Sequence, residues 1–575
     1  MLLICTPSEP SINPSSSGRD SWILPCTVGQ NKLKIIRGGS SAQSDHALEG
    51  SRQPDSKAAA VQIEERVVVL DYGSQYNLLI VRRLREVGVY AELLDPDRPW
   101  AEIVAGVPVK AVVLSGGPNS VYEKDAPRLP PGLLESGLPL LGICYGMQLL
   151  AKELGGQVVA ATRREYGPAT FRLHQASPLW RGLEEHEACW MSHGDQVFKL
   201  PTGFESLAST DTALAAMGDE SRKCYALQFH PEVTHTPAGV QILRNFVELS
   251  GCTLHWTAGN FVEASLSEIR AQVGDSKVVC AISGGVDSTV AAVLVHKAIG
   301  PKLTCLFVDN GLLRQGEAEQ VMESLSVLGL SVRKVDARER FLGALAGIHE
   351  PEEKRKRIGE AFIRVFETEV AELGDVPFLV QGTLYPDVIE SGHGGHKKAH
   401  NIKTHHNVGG LPADSQFRLV EPLRQLFKDE VRRVGREMGI DSRLLERQPF
   451  PGPGMAVRCL GEVREDRLKV VCAADAIVRE ELDRLPLEGP GRRPWQYFAA
   501  LLPVKSVGVQ GDQRSYAEVV AVRAVYSEDA MTAQVADLDH SLLTRLATRI
   551  VNEVAGVSRV VYDITPKPPG TIEWE

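Results

Sequence analysis

The chain has 575 residues, and at roughly 100 to 200 residues per domain that length predicts about three or four domains. With 43% hydrophobic and 24% charged residues, its composition excludes a wholly disordered, fibrous or small disulfide-scaffold chain. A net charge of −10 gives no footprint for nucleic acid, and no run approaches the ~18 to 20 apolar residues that span a bilayer, so a cytoplasmic protein without nucleic-acid or membrane partners is expected.

Residues 1–64 hold eleven Ser and a single aromatic, Trp22. With no helical or strand period, they read as a disordered extension. Scattered acids such as Glu9, Asp20 and Asp45 argue against a transit peptide, although an organellar address is left open. From Arg66, apolar runs such as Val67–Leu70, Ala111–Leu114 and Leu138–Ile143 alternate with helical stretches such as Asn77–Val87. That pattern predicts an α/β domain on a largely parallel sheet over residues 65–255. A second α/β domain, residues 256–449, is expected from Val278–Ile282, Leu303–Val308 and Phe378–Gln381. After Pro451-Gly-Pro-Gly454 the texture becomes that of a small α+β domain, residues 450–575, with a helix near Arg467–Leu485 and strands at Val519–Tyr526 and Val557–Ile564. The ten cysteines include no C-x-x-C pair, so most are expected to be reduced and buried.

Leu138-Pro-Leu-Leu-Gly-Ile-Cys144-Tyr-Gly-Met-Gln148 reads as strand, tight turn and helix, with glycines two before and two after the cysteine. This is a nucleophile-elbow pattern with sulfur in place of oxygen, and the helix start favours a thiolate. Phe229-His230-Pro-Glu232 offers a base; in an extended segment His230 and Glu232 would share a face. Together these motifs resemble the class I (triad) glutamine amidotransferases. The resemblance implies that Cys144 attacks the glutamine side-chain amide, His230 moves protons, Glu232 orients the imidazole, and the backbone N–H groups of Gly117 and Tyr145 stabilise the oxyanion.

In the second domain Val278–Ile282 runs into Ser283-Gly284-Gly285-Val286-Asp287-Ser288-Thr289 and an Ala/Val-rich helix. Glycines between strand and helix present N–H groups to a phosphate, and the chain has no G-x-x-x-x-G-K-[ST] loop. The string resembles the loop of N-type ATP pyrophosphatases. By that resemblance these seven residues bind ATP, with Mg²⁺ offsetting phosphate charge, Asp287 a candidate contributor, and no prosthetic group.

Beyond these motifs, the chain resembles the glutamine-hydrolysing GMP synthase family from Val67 to Glu575. The resemblance rests on strings such as Asp71-Tyr-Gly-Ser-Gln-Tyr76, Met191-Ser-His-Gly-Asp-Gln-Val197, Phe307-Val-Asp-Asn-Gly-Leu-Leu-Arg314, Gln381-Gly-Thr-Leu-Tyr-Pro-Asp387 and Lys567-Pro-Pro-Gly-Thr-Ile-Glu-Trp-Glu575. It implies a fused amidotransferase, ATP pyrophosphatase and carboxyl-terminal dimerisation domain acting on L-glutamine, ATP and xanthosine 5′-monophosphate (XMP) in guanine nucleotide synthesis. XMP contacts carry over to Arg314, Asp387, Gln510, Lys567 and Glu573, and a lid to Lys403, His405 and His406. A homodimer is implied. Zinc at the histidines of residues 393–406 is the minor reading. An asparagine-type or NAD-type synthetase would lack this carboxyl tail, and a non-catalytic relative would have lost part of the Cys144, His230, Glu232 and Gly-Gly set.

Overall fold

The computed structural model describes residues 63–390, 417–489, 491–510, 512–527, 530 and 532–575. The proposed lid residues Lys403, His405 and His406, and the extension up to residue 62, lie outside the described residues.

The first α/β unit contains β1 (Arg66–Leu70), α1 (Asn77–Val87), β2 (Ala91–Leu94), α2 (Trp100–Ile103), β3 (Val109–Leu114), β4 (Leu140–Ile143), α3 (Tyr145–Glu153), β5 (Gln157–Leu173), β6 (His186–Lys199), β7 (Glu205–Ser209), β8 (Leu214–Asp219), β9 (Cys224–Leu227) and α4 (Gly239–Leu249). Its nine strands run β2-β1-β3-β4-β9-β8-β7-β5-β6. The segment from β2 to β9 is parallel, which explains the unbroken apolar runs, because both faces are covered. Alternate residues of β1 feed different cores: Val67 and Val69 meet Ile80, Leu84 and Phe246, whereas Val68 and Leu70 meet Met147 and Leu150.

The expected largely parallel sheet is extended by an antiparallel half. Strands β5 and β6, of 17 and 14 residues, had no counterpart among the expected elements. On β6 the buried positions include His193 and Asp195 beside Cys189, Met191 and Val197, so the alternation in burial is not an alternation in hydropathy.

The second unit contains α5 (Ala258–Val273), β10 (Val278–Ala281), α6 (Val286–Ile299), β11 (Leu303–Asp309), α7 (Glu317–Val327), β12 (Val332–Asp336), α8 (Arg338–Leu345), α9 (Pro351–Leu373), β13 (Phe378–Val380), α10 (Tyr385–Glu390), β14 (Arg418–Val420), α11 (Lys428–Glu437) and α12 (Ser442–Leu445). Its parallel strands run β12-β11-β10-β13-β14. The carboxyl-terminal part contains α13 (Glu465–Leu482), β15 (Gln496–Gln510), β16 (Gln513–Tyr526), β17 (Gln534–Val535), α14 (His540–Glu553) and β18 (Val557–Tyr562). Here β15 and β16 form a long hairpin, and β18 lies parallel to β16. Phe341, Leu345, Ile358 and Val365 of α8 and α9 share one core with Met455, Val471, Val478 and Ile550, so this part is built onto the second unit. Among the described residues no helix is long and apolar enough to cross a membrane, and the eight described cysteines are free.

The two α/β units meet at Arg85 of α1, which is 0% exposed. Its guanidinium lies 4.8 Å from the Tyr90 ring centre, 5.5 Å from Trp256, 4.5 Å from Tyr385 and 5.2 Å from Phe427. It pairs with Glu430 at 3.3 Å and donates to the Ala91 and Gln425 carbonyls. Beside it, Leu93 N donates to the Tyr385 hydroxyl at 2.8 Å, and Arg82 pairs with Asp429 at 3.1 Å. Arg85→Met would leave the buried Glu430 carboxylate without its cation, destabilising the docked units by about 3–5 kcal/mol. The expected result is a lower first thermal transition by calorimetry, part of which returns when Glu430→Gln is added.

Candidate functional site

Cys144 stands between β4 and α3 with φ 51° and ψ −102°, a conformation that a non-glycine residue holds only when its surroundings force it. The flanking glycines supply the space. A Cβ on Gly142 would lie 2.6 Å from the Gly146 carbonyl, and one on Gly146 would lie 2.4 Å from the Leu114 oxygen. The Cys144 N–H donates to the Leu227 carbonyl at 2.7 Å, and Sγ contacts the Ser192 carbonyl at 3.5 Å.

His230 and Glu232 follow β9, with Nδ1 and Oε1 2.7 Å apart. The expectation of an extended segment is corrected: Pro231 and Glu232 lie in a turn, and the carboxylate reaches the imidazole by chain reversal. Both side chains are buried, Glu232 completely. Burial pulls the His230 pKa down, but the Glu232 charge and hydrogen bonding with Cys144 and Glu232 outweigh it and hold the imidazole well above its ordinary value. Tyr76 meets the His230 ring edge-on at 5.3 Å. The Ser115–Pro118 loop closes the same place: a Cβ on Gly116 would sit 3.3 Å from His230 Cε1, and one on Gly117 2.5 Å from the Tyr72 oxygen. Among the described residues, the backbone N–H groups of Gly117 and Tyr145 donate to no protein group. Sulfur, imidazole, carboxylate and spare N–H donors in one pocket are the parts needed for acyl transfer from an amide.

In the second unit, Ser283–Gly285 links β10 to the start of α6. Gly284 has φ +74°, and a Cβ there would strike Val321 Cγ2 at 2.5 Å. Ser283 Oγ and Ser288 Oγ are 3.0 Å apart, Gly285 N donates to Ser283 Oγ at 3.3 Å, and the first intrahelical bond is Thr289 N to Gly285 O at 3.1 Å. The helix therefore begins with unspent N–H groups at Val286, Asp287 and Ser288, a suitable cradle for an anion. Gly382 packs against it, since a Cβ there would lie 3.4 Å from the Asp287 carbonyl carbon. Lys428 Nζ lies 3.4 Å from Asp287 Oδ2, and Arg447 donates to the Gly284 carbonyl at 3.1 Å. The sequence reading singled out neither cation.

The five residues assigned to XMP divide. Arg314 and Glu573 converge through groups that were not anticipated. Arg314, with burial pulling its pKa down, lies 4.6 Å above the Phe450 ring and 3.5 Å from Asp475; its Nε and Nη2 are buried without a hydrogen-bond partner. Arg458, 0% exposed, shares the Phe450 ring at 5.2 Å and holds Glu573 at 2.9 and 3.1 Å. Gln496 donates to the same carboxylate at 2.7 Å. Lys567 bonds the Ala530 carbonyl at 2.7 Å, and Asp387, at the start of α10, accepts from Leu384 N at 2.9 Å. Gln510 ends β15, whose other end is Gln496. At ~3.3 Å per residue the two are roughly 45 Å apart, so one copy does not bring Gln510 to Glu573.

A cysteine elbow in one α/β unit and an anion cradle in the next define a glutamine amidotransferase joined to an ATP-using synthetase. Residues 68–249 match the family model for class-I glutamine amidotransferase, 259–354 that for NAD synthase, and 484–574 that for the GMP synthase C terminal domain. The chain is 57% identical over 518 residues to the glutamine-hydrolysing GMP synthase of Thermomicrobium roseum, covering 89% of this chain and 97% of the relative. It is 55% identical to that of Caldicellulosiruptor saccharolyticus (89% and 99%) and 54% identical to that of Syntrophomonas wolfei (89% and 100%). The chain belongs to this family, the glutamine-hydrolysing GMP synthases: it is an ATP-dependent ligase that makes GMP with nitrogen from glutamine.

Two measurements test the elbow and the imidazole pair. Gly146→Ala forces the turn apart and is expected to lower glutamate release about 100-fold, while ammonium-supported synthesis persists. For Glu232→Gln the sign follows from the raised His230 pKa: the pair's contribution is complete below the ordinary value of 6.5 and fades as pH rises through the folded-state value. The loss of melting temperature on Glu232→Gln should therefore be largest below about pH 6 and shrink as pH is raised through the range in which the folded-state imidazole loses its proton.

Proposed function

We propose that residues 65–255 form the glutaminase, 256–449 the ATP pyrophosphatase, and 450–575 a dimerisation and XMP-binding domain. Cys144 Sγ attacks the glutamine amide carbon, and Gly117 and Tyr145 N–H groups receive the developing oxyanion. His230, oriented by Glu232, donates a proton to the departing ammonia, and water then releases glutamate from the thioester. In the second site the XMP C2 oxygen attacks the ATP α-phosphorus and pyrophosphate leaves into the Ser283–Thr289 cradle. Ammonia then adds at C2, and AMP departs with that oxygen. The presence in one chain of both the His230–Glu232 pair beside Cys144 and the unspent N–H cradle supports this sequence of steps.

Mg²⁺ fits beside the cradle, because Asp287 Oδ1 is buried without a hydrogen-bond partner; Asp287 would hold the ion, which would offset phosphate charge. Arg314, whose buried Nη2 has no hydrogen-bond partner, suits an anionic substrate. Lys403, His405 and His406 are proposed to close over the nucleotide phosphates. The distant Gln510 supports a homodimer in which it meets XMP bound to the other copy. The outer half of the hairpin exposes Val504, Val507, Val509 and Tyr516, at 53% to 73%, an apolar face that a second copy would cover. A cytoplasmic location goes with this reading.

XMP labelled with ¹⁸O at C2 tests the chemistry. The expected product is AMP carrying one label in its phosphate, read by mass spectrometry; label in pyrophosphate or lost to water would overturn the adenylation step.

A further inference from the structure

Glu575 is held by groups that the proposed chemistry does not use. Lys354 of α9 is 0% exposed. Its Nζ donates to the carbonyls of Ala456 at 3.2 Å and Cys459 at 3.0 Å, and pairs with the Glu575 carboxylate. An ammonium has three N–H bonds, so Glu575 completes its set and supplies its counter-charge. Arg355 donates to the Glu575 main-chain oxygen at 2.7 Å, and Gly461 N–H to Glu575 Oε1 at 3.0 Å. Upstream, Arg523, also 0% exposed, donates to the carbonyls of Thr571 at 3.0 Å and Ile572 at 3.4 Å. Ile572 is buried against Phe498, Ala500 and Val525.

Glu573 lies between these two cationic grips. Arg458 and Gln496 take three of the roughly four acceptor positions of its carboxylate, leaving one on Oε2 for a ligand hydroxyl or N–H. Residues 563–575 lie outside helix and strand, and such a segment stays in place only where contacts tie it down; loosening it would take Glu573 away from Arg458. We propose that Glu575, gripped by Lys354 and Arg355, is a positioning residue for XMP: it ties the tail to α9 and keeps Glu573 in its binding arrangement. This rests on the reading of Glu573 as an XMP contact.

The consequence is specific in kind. If only a fraction of molecules has the tail docked, the apparent affinity for XMP falls by that fraction, whereas saturating XMP pulls the tail back and restores the rate. The test uses the full chain with ammonium as nitrogen source, so that the glutaminase plays no part. Glu575→Ala is expected to raise KM for XMP about 10-fold, as for a docked fraction near one in ten, with kcat and KM for ATP little changed. Glu575→Gln keeps one of the two acceptor oxygens but loses the counter-charge to Lys354, and is expected to recover only part of the affinity. If Glu573→Ala leaves KM for XMP unchanged, the assignment of Glu573 fails. If Glu573→Ala raises it and Glu575→Ala does not, the positioning role is overturned. Should Glu575→Ala fail to fold because Lys354 is stranded, Lys354→Met with Glu575→Ala removes the buried charge. A raised KM for XMP in that double variant supports the tie, and an unchanged one contradicts it.

Discussion

Arg85 keeps a full charge away from water at the junction of two α/β units, which is tolerable only while Glu430 and four aromatic faces remain against it. The helices that meet there are the ones that reach both sites. On α1, two residues before Arg85, the Arg83 Nε donates to the Glu232 carbonyl at 3.1 Å. On α11, two residues before Glu430, Lys428 faces Asp287 in the anion cradle. A single buried ion pair thus fixes the elements that flank the cysteine pocket and the anion cradle, so the two proposed sites stand in one frame.

Within that frame the two sites use different physics. The proposed glutaminase pocket rests on backbone shape: a cysteine at positive φ between glycines whose hydrogens face neighbouring carbonyls, and a buried carboxylate that raises the pKa of an imidazole. The proposed synthetase site offers donors without a hydrogen-bond acceptor, namely the first N–H groups of α6 and Nη2 of Arg314. Polar groups left unsatisfied in a protein interior are costly unless something fills them, and the proposed occupants here are phosphates.

The elbow was legible in the sequence because its spacing has a steric reason: Gly142 and Gly146 touch backbone atoms at distances no Cβ can share. The anion cradle was legible for the same kind of reason at Gly284. Strands β5 and β6 were not, because inward-facing His193 and Asp195 hide the alternation, nor was β15, where Pro503, Gly508 and a register shift between Leu502 and Lys505 interrupt the pattern, although its partner β16 contains the expected strand Val519–Tyr526. The turn at Pro231–Glu232 brought about the expected pairing by a route that local periodicity does not encode. Arg458 and Lys354 were illegible in another way. Each is one basic residue among 63 in the chain, and only tertiary packing shows that it is fully buried against the carboxyl-terminal tail.

Ammonia made at Cys144 is proposed to be consumed at the synthetase site. GMP and AMP formation from XMP, ATP and Mg²⁺, supplied with either glutamine or ammonium, tests it directly in the wild type and in Cys144→Ala. The wild type is expected to use both nitrogen sources and the variant only ammonium. GMP formation from glutamine by the variant, or none from ammonium by either protein, would contradict it.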